Sequence, residues 1–442
     1  MKKIAFIGWS KLCCYILISC YLSIPISSPL SIGLFQVNLP IELFLVLSAI
    51  LLLFQINLKK LLSSHFLRHP VTILALLYHM CMILSICYST EPLVSAKYVF
   101  INGLHFWVFY FGLYFILESQ IDFKKVLYSY SIVAILIIIY GFIKFSIHDF
   151  QKGFAPALAR PFYSDHTLFG ASLALILPFL IFYRFQFRQY KLVQPVLILL
   201  FSLAVFITQS QAVWLSLASG MIAFVLIKKY EVKTRYFIIN GLILVCLSSM
   251  LLYKVHQNKS HQSGNSYTIN TPLNSFIYKL SKDVSTLERI NRYSCAIRMW
   301  KDRPLLGFGV GTFQFAYLPY QLPSDMTRIS VTTARALDGK PHSSGKGGGA
   351  HSEYFQAFVE LGLIGGITWL LFVIFTIHYS LKMYYSTSPA DRFILAIFIA
   401  LLGYFIHALF NNFLHNEEVS FLFWSMIGWV VISDSGSEIK NK

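Results

Sequence analysis

Apolar runs of about twenty residues recur along this chain from end to end, and that rhythm limits what it can become. Crossing a bilayer as a helix takes roughly 20 mostly apolar residues. Candidate spans lie at about 12–29, 39–57, 71–88, 97–117, 124–146, 167–184, 192–208, 211–228, 236–254, 356–380, 391–410 and 417–432. Charged residues make up only 12% of the 442, against about 25% in an ordinary soluble domain. The expectation is an all-α polytopic membrane protein with about 12 transmembrane helices.

Residues 255–355 break the rhythm. They are polar and about a hundred long, far beyond the usual connection. The chain therefore divides into helices 1–9 (residues 1–254), a long loop (255–355), and helices 10–12 with a short tail (356–442).

The net charge is +17, and its placement sets the orientation. With the N-terminus on the cytoplasmic side, nineteen of the 36 basic residues fall in inner segments, among them Lys59, Lys60, Arg68, Lys124, Lys125, Lys228, Lys229, Lys382 and Arg392. Only Lys97, Lys144, Lys152 and Arg160 occupy short outer loops. This positive-inside bias puts both termini in the cytoplasm and the long loop, between helices 9 and 10, on the outer side. Most of the positive charge is thus a topology signal, and no nucleic-acid motif accompanies it. The thirteen remaining cations, in or beside the loop, suit an anionic ligand or a lipid surface.

Of the seven cysteines only Cys295 lies in the exported loop, which rules out a disulfide framework there. The start, MKKIAFIGWSKLCCYILISC, has features of a cleavable signal, but Lys11 interrupts its apolar region. It is expected to remain as the first helix.

Within the loop, STLERINRYSCAIRMWKD (285–302) reads as a partly amphipathic helix, opened by Ser285 with Glu288 three residues on. Arg289 and Arg292, three apart, share a face. Two guanidinium forks side by side suit the oxygens of a diphosphate, although a solvated charged face is the commoner fate of such a pair. Arg160, in ALARPFYSDHTLFG, is placed to join them, and Asp165 and His166 either line the same cavity or cap the sixth span. GFGVG (307–311) does not complete a nucleotide-binding glycine pattern and reads as a turn. No Walker lysine, HExxH or zinc-ligand spacing appears, so neither ATP nor a bound metal is indicated.

The loop ends in GGGAHSEYFQAFVELGLIGG (347–366). Here His351 meets the membrane–water junction, and Glu353, Gln356 and Glu360 lie on one face of the tenth span. A histidine titrates near neutrality and suits general-base work, though one at a helix start is often only an interfacial polar group. A carboxylate inside an apolar helix is costly and faces a cavity or partner, so Glu360 is either catalytic or ion-paired to a loop arginine.

Taken in order, ARPFYSDHTLFGASLALILP, TQSQAVWLSL, STLERINRYSCAIRMWKDRPLLGFGVGTFQFAYLPYQ, AHSEYFQAFVELGLIGG and HALFNNFLHNEEVSFLFW resemble the O-antigen ligase/O-antigen polymerase family of bacterial inner-membrane glycosyltransferases. The likeness covers about 155–430. It implies metal-independent, inverting transfer of a glycan from undecaprenyl diphosphate at the periplasmic face of the inner membrane, with no cofactor. Lipid A–core is the acceptor in ligases, which this sequence favours slightly. A second lipid-linked glycan is the acceptor in polymerases, and a protein hydroxyl in the related O-oligosaccharyltransferases. By the same resemblance the family's essential histidine maps onto His351 and its diphosphate-binding arginines onto Arg160, Arg289 and Arg292. The sequence departs from many relatives at Gln211, where they carry arginine, which puts the role of that turn in doubt. From another class, a lipid-linked glycan transporter is the main rival, but its ionisable groups would be expected near the bilayer midplane rather than at the outer interface. A purely structural membrane protein would leave the arginine pair, His351 and Glu360 unexplained.

Overall fold

A computed structural model describes residues 2–32, 35–55, 61, 64–118, 122–183, 192–230, 283–327, 330, 334–335, 341–342, 348–386 and 391–440. The expected span at 236–254, the first part of the long loop (255–282) and Gly347 lie outside the described residues. Every other expected span overlaps a helix, though the first stops at Ser23, ahead of a strand, and that at 97–117 runs on past His105 through a wider turn, Phe106–Phe111, into a short helix, Gly112–Glu118. The overlapping helices are α1 (Lys2–Ser23), α2 (Ile41–Gln55), α3 (Pro70–Ser85), α4 (Pro92–His105), α5 (Phe123–Ile147), α6 (His166–Phe182), α7 (Val193–Ile207), α8 (Gln211–Tyr230), α10 (Glu353–Ser386), α11 (Arg392–His407) and α12 (Glu417–Lys440), with α9 (Val284–Asp302) between α8 and α10. Among the described residues, 5 helical stretches are long and apolar enough to cross a membrane by length and composition, and further apolar helices are shorter.

The fold is not purely helical. Residues Ser28–Ile32 and Phe35–Leu39 form an antiparallel hairpin, β1–β2, with Leu30 opposite Val37, and two-residue strands pair Ala334–Arg335 with Pro341–His342. The first hairpin has a sequence cause, because apolar and polar residues alternate through LSI and FQVNL, a period of two rather than 3.6.

Helix α11 is the axle of the bundle. Phe393 through Phe405 are buried on every side, as expected of a helix that is apolar all round. It packs between α6 and α8, while α10 lies along α3. Gly220 of α8 meets the Ile399 side chain, and Gly403 of α11 approaches the Ser216 carbonyl. Small residues at these crossings let the backbones come close, the usual route to packing where the solvent is itself apolar.

Segments assigned by charge to the outer side meet at one end of the bundle. Thr90 N–H donates to the Phe308 carbonyl at 2.9 Å and Glu353 N–H to the Ala408 carbonyl at 2.9 Å. Asn38 Nδ2 donates to Glu417 Oε1 at 2.9 Å, and the Tyr293 hydroxyl to the Leu409 carbonyl at 2.7 Å. At the opposite end, Asp434 lies 3.2 Å from Lys382 Nζ and 3.4 Å from His69 Nε2, tying α3, α10 and α12 together.

Helix α10 departs from the straight span expected. At Gly362 the backbone swings to φ 66°, ψ −162°, a region open essentially to glycine alone. Breaking a helix at membrane depth frees carbonyls and amides that must find partners. The loop after α9 supplies them. Phe308 N–H and Gly309 N–H donate to the Val359 and Glu360 carbonyls at 3.0 and 2.9 Å, and Leu363 N–H donates to the Pro304 carbonyl at 2.8 Å. GFGVG is therefore a turn, as expected from the sequence, and its purpose is to complete a broken helix.

Candidate active site

The site forms where α9, the glycine run, the broken helix α10 and the α11–α12 connection converge. Its first helix is capped two residues earlier than the sequence suggests. Asp283, not Ser285, accepts from Thr286 N–H at 2.9 Å. Ser285 is thereby freed to accept from Arg289 Nη1 at 2.6 Å.

Arg292 is 3% exposed. Its Nε donates to Glu288 Oε1 at 3.1 Å, its Nη1 to the carbonyls of Gly348 and Gly349 at 3.0 and 2.9 Å, and the guanidinium lies 4.9 Å from the Tyr317 ring centroid. Glu288 is held in turn by Thr327 and Ser330 through Oε2, at 2.8 and 2.5 Å. This guanidinium fixes the strand that leads into His351. Arg289 points elsewhere: Nε donates to the Phe410 carbonyl at 3.2 Å, and the side chain is only partly buried.

His351 adopts φ 56°, a left-handed conformation that a non-glycine residue takes only when its surroundings hold it. Those surroundings are visible. Arg292 grips the two preceding carbonyls, Gln356 Oε1 accepts from Ala350 N–H at 3.3 Å, and the Tyr293 hydroxyl reaches the His351 carbonyl at 3.3 Å. Burial, followed by the charges of Arg292 and then Arg289, pushes the imidazole from 6.5 down to about 3. His351 is therefore the neutral, proton-accepting form at any physiological pH.

Glu360 is 2% exposed. Its partners are backbone amides rather than an arginine: Gly311 N–H donates to Oε2 and Phe313 N–H to Oε1, both at 2.9 Å, and Gln356 Nε2 donates to both oxygens at 3.3 Å. The carboxylate thus anchors the GFGVG turn and, through Gln356, reaches the amide beside His351. Glu353 does the same for the next connection, accepting from Leu414 N–H at 2.9 Å and Tyr404 at 3.3 Å.

Arg160 is exposed at the same end of the bundle. Its Nε donates to the Ser164 carbonyl at 2.9 Å, and its own carbonyl accepts from Tyr140 and Lys144, each at 2.8 Å. Asp165 caps α6 through Thr167 and Leu168. The charges of Arg289 and Arg160 both act on His166, so the two guanidinium groups flank one region, with His351 under the field of Arg289 as well.

Not every residue in this arrangement carries a sequence signal for its role. Tyr293 looks like an ordinary position of an amphipathic helix, and Glu288, read from the sequence as the partner of Ser285 at the helix start, instead accepts from Arg292. The α11–α12 connection, HALFNNFLHNEE, does carry one: Asn411, Asn412, His415 and Asn416 are polar residues set between two apolar runs. This connection passes directly beneath the glycine run, where a methyl group added at Gly349 would overlap the carboxamides of Asn412 and Gln356.

Residues 195–370 match the family model described as O-antigen ligase. The matched stretch runs from α7 through α9 and the GFGVG turn to the break in α10, so it contains Arg289, Arg292, His351 and Glu360, while Arg160 and the α11–α12 connection lie outside it. No curated protein matches the chain. Over that stretch, less than half of its length, the chain is similar to the O-antigen ligase family.

Proposed function

We propose that this protein moves a glycan from undecaprenyl diphosphate to an acceptor hydroxyl, with lipid A–core the favoured acceptor, at the periplasmic face of the bacterial inner membrane. The observation that carries this reading is a neutral histidine locked in a left-handed conformation beside a partly exposed arginine, with a second exposed arginine at the same end of the bundle.

Each group has a task set by its surroundings. His351 accepts the proton of the acceptor hydroxyl as that oxygen bonds to the anomeric carbon. The bond from that carbon to the diphosphate breaks, and the electron pair leaves on the diphosphate oxygens. Attack from the face opposite the leaving group inverts the anomeric configuration. Arg289 and Arg160 receive the diphosphate, the developing charge being met by donors already in place. Arg292 and Glu360 position the machinery: the first orients the run into His351, the second fixes the turn that completes α10.

The low basicity of His351 in the empty site also fits. The field that depresses it comes in part from Arg289, and a bound diphosphate offsets that field. The base is strengthened when the donor arrives, so donor binding and proton abstraction are coupled.

The test uses the full chain in liposomes with an undecaprenyl-diphosphate-linked glycan, with and without lipid A–core. Product on lipid A–core supports the ligase reading. Lengthening of the lipid-linked glycan alone assigns a polymerase, and glycosylation of an added protein acceptor assigns a protein O-oligosaccharyltransferase. Movement of the donor across the bilayer without transfer replaces the enzyme reading with transport.

A further inference from the structure

The α11–α12 connection is fastened to the site at four points. Ala408 O accepts from Glu353 N–H, Leu409 O from Tyr293, Phe410 O from Arg289, and Leu414 N–H donates to Glu353. Asn411 is used as well, its Nδ2 lying 3.1 Å from His407 Nε2. Asn412 differs. The residue is 8% exposed and its side chain presses against Gly349, yet among the described residues its carboxamide makes no hydrogen bond. A carboxamide that the protein leaves unused while its polar atoms are not sealed from their surroundings calls for a specific cause.

Position supplies the cause. Asn412 follows Phe410, whose carbonyl Arg289 holds, by two residues, and it touches Gly349, two residues before His351. If Arg289 binds the diphosphate and His351 the attacking hydroxyl, the sugar whose anomeric carbon changes hands must lie between them. Asn412 borders both residues, through Phe410 on one side and Gly349 on the other. A carboxamide carries two N–H donors and a carbonyl acceptor, which complements the hydroxyl or acetamido group of a sugar ring and has no net charge with which to bind phosphate.

We infer that Asn412 reads the first sugar of the donor, the one joined to diphosphate, through hydrogen bonds from its carboxamide to a ring hydroxyl or acetamido substituent. This rests on the glycosyl-transfer reading above. It makes Asn412 a specificity residue, and it explains why Gly349 has no side chain: any substituent there would displace the carboxamide.

The experiment compares the wild-type chain, Asn412→Ala and Asn412→Leu in liposomes, using two ligands: an undecaprenyl-diphosphate-linked glycan as substrate and sugar-free undecaprenyl diphosphate as inhibitor. Leucine fills the same volume without polar atoms, so it reports on the carboxamide if the alanine variant does not fold. The expected result is about a tenfold fall in kcat/KM for the donor, the scale of one lost neutral hydrogen bond, with the inhibition constant of undecaprenyl diphosphate unchanged. Equal losses for both ligands assign Asn412 to packing, and full kcat/KM in Asn412→Leu removes it from sugar contact; either overturns the inference. A wild-type chain that neither binds nor turns over the donor overturns the transfer reading and this inference with it.

Discussion

Arg292 and Glu288 form an ion pair at 3.1 Å that is almost wholly buried, and the same guanidinium holds the two carbonyls that precede Ala350 and His351. The pair therefore links α9 to the backbone of the proposed base. It also separates two arginines that sequence reading placed together. Their common helical face is real, but Arg292 is spent on backbone and carboxylate, while Arg289 stays partly open towards the α11–α12 connection.

That separation has a direct consequence for mutants. Arg292→Ala leaves Glu288 buried without its partner, a change that costs about 3–5 kcal/mol in other buried pairs. A large fall in melting temperature is expected, with loss of transfer. Arg289→Ala is expected to melt close to wild type and to bind donor at least tenfold more weakly. Thermal denaturation in detergent and donor titration, run on both variants, check the contrast.

Glu360 is expected to behave as an anchor. Glu360→Gln keeps the shape but turns a carboxamide NH2 towards a backbone N–H that needs an acceptor, leaving one of Gly311 or Phe313 N–H unmatched at about 1–3 kcal/mol. The variant should melt lower yet retain, at a temperature where it is folded, well above a tenth of wild-type kcat. Complete loss of turnover in a fully folded Glu360→Gln protein would return Glu360 to the chemistry.

Gly362→Ala places a methyl group against the Leu305 carbonyl, at a φ of 66° that L residues rarely take. Strain of this kind costs about 1–3 kcal/mol. The expected outcome is a lower melting temperature and increased protease cleavage near 304–311, because the turn loses the broken helix that it completes. Unchanged cleavage would show that the turn does not depend on the break.

Much of this was legible in the sequence, and the physics explains where legibility ended. Long apolar runs gave the helices because span length is a bulk property of composition, and alternation in LSI and FQVNL marks a hairpin that a search for apolar runs passes over. Glu353, Gln356 and Glu360 were placed on one face by periodicity alone, and all three do turn inwards. What periodicity could not show was the partner. Glu360 bonds Gly311 and Phe313 from 47 and more residues away, and the Arg292–glycine bonds span 56 and 57 residues. Such contacts depend on how the loop folds back, which no local pattern records. Asn412 lies within a family-like stretch but carries no signal of its own, since its meaning arises only from its contact with Gly349.

The electrostatics of His351 predict a pH signature. In the free enzyme its pKa lies at about 3, below the ordinary 6.5, so the imidazole stays unprotonated on acidification until far below neutrality. The acid limb of kcat/KM, which reports free enzyme, should therefore be flat from pH 7.5 to about 5. Bound diphosphate offsets the Arg289 charge and raises the pKa, so the acid limb of kcat should lie at higher pH. Rate profiles at saturating and limiting donor separate the two. A kcat/KM limb at 6.5 would mean that neither burial nor the arginines depress His351.

The most direct test of the central claim is glycan transfer by purified His351→Ala beside wild type, with donor binding measured on the same preparations. The account expects wild-type binding of undecaprenyl-diphosphate-linked glycan, an unchanged melting temperature and transfer reduced by at least a hundredfold, within the range of about 10²–10⁴ that a positioned base contributes. Transfer at the wild-type rate in a folded, donor-binding His351→Ala protein would contradict it.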